Sequence, residues 1–280
     1  MPSGSVTRGD GVRVEVAARI EQGGRRRQED AVSVVVNPDG SWVLAVADGV
    51  GGVKRGEEAA PAALGALPHR ISGEDEMTAA FAAANRSVRS LAPSHSLYPS
   101  DEDMPGYWGV EPVTTLAVAA WTPEDGMRAA WVGDSIPFLV PVAAGRGWHG
   151  EPVAMSGGHP VVGEFAVRGD TPAPSMLRAM RRMSDTITQD GMDRIAGDRG
   201  IIVAVLTDGA YSGCMHRTTG RWFSDNPDDN SLGFILPAGS RGSADAVADA
   251  VIACAWWHGL HDNASAAVAV MTPRTSARCR

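Results

Sequence analysis

Trp42–Gly52 reads W-V-L-A-V-A-D-G-V-G-G, six apolar residues that stop at an aspartate and pass into a glycine-rich turn. A short apolar run, rich in Val and bounded by Gly, has the length and composition of a buried strand rather than a helix. Asp48 then stands where the chain leaves the sheet, and Gly49, Gly51 and Gly52 permit a tight turn and a close backbone approach to a ligand. Asp-Gly is also an ordinary turn signal, so the stretch alone predicts a strand and leaves the role of the carboxylate open.

Working outward, Ala31–Val36 reads as a second strand, and Asn37-Pro38-Asp39-Gly40 as the turn that brings the Trp42 strand back as its hairpin partner. Upstream, Val12, Val14, Val16, Ala18 and Ile20 alternate with Arg13, Glu15, Ala17 and Arg19, the period of a half-buried strand. Downstream, the Ala-rich stretch 54–67 predicts a helix that Pro61 should break or kink. Met77, Phe81, Ala84, Val88 and Leu91 mark the apolar face of another. Further strands are expected at 114–121, 127–132, 136–142, 201–207 and 265–271. A helix carrying Met176, Met180, Met183 and Ile187 is expected, with a last one capped by Ser243 and ended by Gly259. The segments 93–112, 143–171 and 211–230 read as loops or resist assignment, Trp256-Trp257 as core and helix-end packing, and about 1–10 and 273–280 as frayed ends of one domain spanning 1–280.

Composition narrows the function classes. The 280 residues are 44% hydrophobic and 21% charged, with net charge −8 and no sustained basic run beyond Arg25–Arg27. Nucleic acid and anionic membranes are therefore not expected partners. Cys214, Cys254 and Cys279 form neither a metal spacing nor an even disulfide set, which suits a reducing compartment. The N-terminus shows no signal-peptide pattern and no stretch nears 18 uninterrupted apolar residues, so the expected location is the cytoplasm.

The chemistry lies in five aspartates. Three apolar strands stop at one: Val46-Ala47-Asp48, Val132-Gly133-Asp134 and Leu206-Thr207-Asp208. Asp30 and Asp262 stand at or before strand starts. In an antiparallel sheet the end of one strand lies beside the start of its neighbour, so all five carboxylates have a route to one edge. Ionised carboxylates crowd together only around a cation, and a set of hard oxygens with no companion Cys and no well-placed His pair suits Mg²⁺ or Mn²⁺ rather than Zn²⁺. Arg25 is a candidate grip for a phosphate beside them. The plainer alternative is that these aspartates cap turns and helices. His258 and His261, at H-x-x-H spacing, read as structural, as does Glu29.

In order along the chain, R-R-R-Q-E-D-A (25–31), V-A-D-G-V-G-G (46–52), V-T-T-L (113–116), W-V-G-D-S (131–135), L-T-D-G (206–209) and H-D-N-A-S (261–265) resemble the metal-dependent protein Ser/Thr phosphatases of type 2C, the PPM type, in their bacterial form. The resemblance implies an α+β fold, a four-layer α-β-β-α sandwich with two central antiparallel sheets. It implies that Asp48 bridges two Mn²⁺ or Mg²⁺ ions and the Gly49 carbonyl ligates one. Asp208 and Asp262 hold the first ion, Asp30 contacts the cluster through water, and Asp134 helps form a weaker third site. Arg25 binds the substrate phosphate, the nucleophile is metal-bound water, and Arg25, Asp30 and Asp48 form the catalytic set.

The expected activity is hydrolysis of phosphoserine and phosphothreonine on proteins in signalling, with a cognate Ser/Thr kinase as a further partner. A small phosphorylated metabolite as substrate, and a non-catalytic phosphoprotein-binding regulator, are the alternatives. The chain departs from the family pattern at Gln28, Val50, Val113 and Ile136, and none of these departures removes a carboxylate.

Overall fold

The structure is a computed structural model and describes residues 2–8, 12–49, 55–91, 112–141, 153–154, 201–211 and 243–272. In chain order it contains strands β1 (Ser3–Thr7), β2 (Arg13–Glu21), β3 (Asp30–Val36) and β4 (Trp42–Asp48), then helices α1 (Gly56–Gly65) and α2 (Gly73–Arg89). Strands β5 (Leu116–Thr122), β6 (Gly126–Val132), β7 (Ile136–Pro141), β8 (Val153–Ala154) and β9 (Ile201–Leu206) follow. Helices α3 (Asp208–Tyr211) and α4 (Ala244–Trp257) and strand β10 (Ala264–Thr272) complete it. The expected helix at Met176–Ile187, the loops at 93–111 and 212–230, Val50, Cys214, Cys279 and the tail 273–280 lie outside the described residues.

Two antiparallel sheets result, one of order β3-β4-β5-β6 and one of order β1-β2-β10-β9-β7-β8. The unbroken apolar run of β4 is explained by its two covered faces. Trp42, Leu44 and Val46 meet Ile201, Val203 and Val205 of the other sheet. Val43, Ala45 and Ala47 lie under Ala59, Ala63, Phe81 and Val88 of α1 and α2. On the far side α4 presses Val247 and Val251 onto Ile202, Ala204 and Val268. Each large apolar side chain so buried contributes about 1.5–3 kcal/mol. The α+β sandwich of four layers is thus the observed architecture.

Three local expectations are corrected. Ser3–Thr7 does not fray: it pairs along β2 from Ser3↔Ala17 to Thr7↔Arg13. Its sequence offers only Val6 to a core, so its order comes from backbone pairing, which composition does not reveal. Pro61 does not end α1, which runs through it. The proline sits on the exposed face, while Ala59, Ala60, Ala63 and Leu64 stay buried. Trp256 and Trp257 are not core, being 52% and 75% exposed.

The register decides where the site falls. Asp30 lies directly opposite Asp48 in the β3–β4 hairpin. The β5–β6 pair sets Leu116 against Val132, and β9 sets Leu206 against both Ala266 of β10 and Ile136 of β7. At this same end the chain crosses twice between sheets, through 22–29 from β2 to β3 and through 133–135 from β6 to β7. Among the described residues, Asp30, Asp48, Asp134, Asp208 and Asp262 therefore all belong to one end of the sandwich.

Candidate active site

Asp30, Asp48 and Asp134 are positioned by backbone and neutral side chains, and Asp262 also by Arg25. The Asp48 N–H donates to Thr115 Oγ1 at 2.9 Å, and the Asp48 carbonyl accepts from Thr115 N at 2.8 Å and Thr114 Oγ1 at 2.9 Å. Thr115 Oγ1 in turn meets Ser135 Oγ at 2.6 Å, which ties the Asp48 strand end to the turn carrying Asp134. Gly133 in that turn has φ +92°, a conformation that glycine adopts without strain. Thr207 Oγ1 donates to Asp30 Oδ2 at 2.9 Å and accepts from Ser265 N at 2.8 Å, joining the two sheets across the site. Tyr211, at the end of the single-turn helix α3, donates its hydroxyl to the Asp134 carbonyl and so braces the Asp208 turn against the Asp134 turn.

Arg25 reaches Asp262, with Nη2 2.5 Å from Oδ2, while the other oxygen of Asp262 accepts from Asn263 N at 2.8 Å. Asn263, 2% exposed, is the clamp for the loop that carries Arg25. Its Nδ2 donates to the Gln22 carbonyl at 2.7 Å and the Arg27 carbonyl at 3.0 Å, and its Oδ1 accepts from Glu29 N at 2.8 Å. Glu29 serves through its backbone, its carbonyl taking the Gly49 N–H at 3.0 Å. A Cβ on Gly49 would fall 2.2 Å from the Gly56 carbonyl oxygen, so the turn after Asp48 closes around a residue without a side chain. Gln28, one of the departures from the family pattern, accepts the Asp30 N–H at 2.9 Å through Oε1.

The electrostatics match a cluster that wants a cation. Burial pushes the Asp30 carboxyl up to about 7, with the Asp208 charge adding to it and the Thr207 hydrogen bond opposing it. Asp48 is raised well above the usual carboxylate range, first by burial and then by the charges of Asp30, Asp208, Asp134 and Asp262. Asp134 is pushed up to about 6 by burial and by Asp208, and Asp208 is raised by burial and by Asp262. Asp30 Oδ1 and Asp208 Oδ1 are buried and accept no hydrogen bond among the described residues. A buried carboxylate oxygen without a partner is costly, and a hard divalent cation satisfies it. The residues therefore fit Mn²⁺ or Mg²⁺. Among the described residues no three of these side chains are already closed into a coordination set. A groove of about 390 Å³ beside β3 and α1, bordered by Val32, Val43 and Leu64, carries no carboxylate.

Sequence reasoning named the carboxylates and Arg25 but not Thr115, Thr207, Tyr211 or Asn263. Asn263 had a signal, standing next to Asp262 inside a quoted motif. Tyr211 had none, since its partner is a backbone carbonyl 77 residues away. His258 and His261 are exposed.

Residues 19–149 match the family model described as Protein phosphatase 2C. No curated protein matches the sequence. Among solved structures, an arginine-to-glutamate variant of a bacterial serine phosphatase superimposes with TM-score 0.62 at 17% identity, covering 92% of this chain and 98% of that one. The catalytic domain of the serine threonine protein phosphatase PstP, in complex with two manganese ions, gives TM-score 0.55 at 18% identity, covering 93% and 99%. The PPM Ser-Thr phosphatase MsPP from Mycobacterium smegmatis, in complex with cacodylate, gives 0.53 at 19%, covering 92% and 97%. Residues 19–149 thus resemble the protein phosphatase 2C family, and the chain has the α+β sandwich fold seen in the bacterial PPM-type Ser/Thr phosphatases.

Proposed function

We propose that this chain, read as one domain over 1–280, is a Mn²⁺- or Mg²⁺-dependent phosphatase acting on phosphoserine and phosphothreonine of proteins in the cytoplasm, in partnership with a cognate Ser/Thr kinase. One observation carries the reading: the register sets Asp30 opposite Asp48 at the end where Asp134, Asp208 and Asp262 also stand, and two of their buried oxygens lack partners among the described residues. Asp48 and the Gly49 carbonyl would hold two ions, Asp208 and Asp262 the first of them, and Asp134 a weaker third. Asp30 would contact the cluster through water. When bound, such ions acidify a water for attack at phosphorus and offset the charge that develops there.

The remaining work falls to the chain's own groups. Arg25, already held toward the site by Asp262, offers its other N–H groups to the phosphate oxygens and orients the ester. Asp30, fixed by the Thr207 hydroxyl at one oxygen and by Gln28 at its backbone N–H, orients water at the site. The net reaction adds water to a phosphomonoester and releases the alcohol and inorganic phosphate.

The test is hydrolysis of a chromogenic aryl phosphate and of a phosphothreonine peptide, with Mn²⁺ and with EDTA. Metal-dependent turnover of both, lost in Asp48→Asn, is expected. Turnover of the aryl phosphate alone would point to a small-molecule substrate, and metal binding without turnover to a phosphoprotein-binding regulator.

A further inference from the structure

The residues left over by the site lie on two segments that pack together beside it, the end of α4 with the turn after it and the arginine loop. Helix α4 buries Val247, Val251 and Cys254, yet its last turn directs Trp256 and Trp257 outward, 52% and 75% exposed. Neighbouring large aromatics on a surface mark an interaction site, and Trp is among the residues most enriched at binding hot spots. From Trp257 the chain runs through exposed His258, Gly259 and His261 to Asp262. The arginine loop rests on this same turn. A Cβ on Gly24 would fall 3.1 Å from the His261 carbonyl oxygen, and one on Gly23 2.0 Å from that of Asp262. Within the loop Arg25 is engaged by Asp262 and Arg27 by Glu57, whereas Arg26 is exposed and has no ion-pair partner among the described residues. In a protein of net charge −8, an exposed guanidinium without an ion-pair partner among the described residues, on the loop that packs against the turn following the two tryptophans, offers an acidic polypeptide an attractive place to settle.

We propose that the corner running from Trp256 and Trp257 across His261 to Arg26 docks the polypeptide around the phosphorylated residue, and that its preferred occupant carries acidic residues next to phosphoserine or phosphothreonine. The proposal rests on the phosphatase reading and deepens it by naming the substrate class. With the phosphate at Arg25, an extended substrate advances about 3.3–3.6 Å per residue, so a carboxylate one or two positions away reaches Arg26. The indole faces cover the apolar part of the same segment.

The test compares kcat/KM for a phosphothreonine peptide with acidic flanks, the same peptide with basic flanks, and an aryl phosphate, using Mn²⁺ and the full chain. The wild type is expected to prefer the acidic peptide. Arg26→Glu and Trp257→Ala should each lower kcat/KM for it about 5-fold or more, chiefly through KM, while aryl phosphate turnover stays within about 2-fold. Equal losses on peptide and aryl phosphate, or no loss on the peptide, would overturn the docking surface. Should the wild type turn over neither substrate, the phosphatase reading fails on its own. Docking is then read from tryptophan emission on adding the acidic phosphopeptide. A shift that Trp257→Phe and Arg26→Glu reduce supports the surface; no shift, or a shift only with anionic phospholipid vesicles, overturns it.

Discussion

The middle of the sandwich and its carboxylate end are built from the same strands and are opposite in character. Along β4, Trp42 to Ala47 are almost fully buried and apolar, and one residue later Asp48 faces four other carboxylates through their charges. The middle gains free energy from every buried side chain, whereas the end spends some of it holding like charges out of water. The difference teaches how such a site is kept in place. Uncharged hydrogen bonds from Thr115, Thr207, Asn263 and Tyr211 fix the strand ends, which leaves the carboxylate charge available to a ligand.

The largest effect that breaks the comparison is neutralisation of the acidic end. Asp48→Asn or Asp208→Asn should lower phosphatase turnover at least about 1,000-fold, while the metal-free melting temperature stays level or rises, because a raised buried charge has been removed. A fall in both would mean that these aspartates are structural. Next comes damage to the middle. Leu44→Ala, at a side chain with no exposure, should cost about 2–5 kcal/mol in denaturant unfolding and leave the Mn²⁺ affinity of the folded protein unchanged.

A change of pH separates the two regions without a mutation. Asp30 and Asp134 have folded pKa values of about 7 and about 6, above the ordinary carboxylate value. The folded state therefore binds their protons more tightly than the unfolded chain, and stability falls as pH rises from about 4 to about 7. Metal-free protein should melt on the order of 5 °C lower at about pH 7.5 than at about pH 5. Saturating Mn²⁺ should abolish that slope. A metal-free protein that melts higher at the upper pH would contradict the charge crowding. The smallest effect is expected of Tyr211→Phe, which loses one hydrogen bond worth about 1 kcal/mol. It should weaken the weaker class of Mn²⁺ sites about 10-fold, as outer partners of metal ligands do, and leave the tighter class intact.

Much of this was legible in the sequence because the controlling physics is local. The β3–β4 hairpin follows from the Asn37–Gly40 turn between two apolar runs, and α2 from the spacing of Met77, Phe81, Ala84 and Val88. The aspartates declared themselves by standing at the ends or starts of apolar strands. What stayed hidden depends on distant partners. Ser3–Thr7 becomes a strand only because β2 has a free edge, and Pro61 is tolerated only because its face of α1 meets solvent. Trp256 and Trp257 read as core by composition, and only the place where α4 stops turns them outward. The Tyr211 brace joins a side chain to a backbone carbonyl, which leaves no pattern to read.

The most direct test of the central claim, that the acidic end is a cation site, is a calorimetric Mn²⁺ titration of the metal-free wild type and of Asp48→Asn at neutral pH. Two ions bound per chain in the wild type, with that binding lost in Asp48→Asn while the variant stays folded, is the predicted result. A wild type that binds no Mn²⁺, or an Asp48→Asn variant that binds as many ions as tightly, would contradict it.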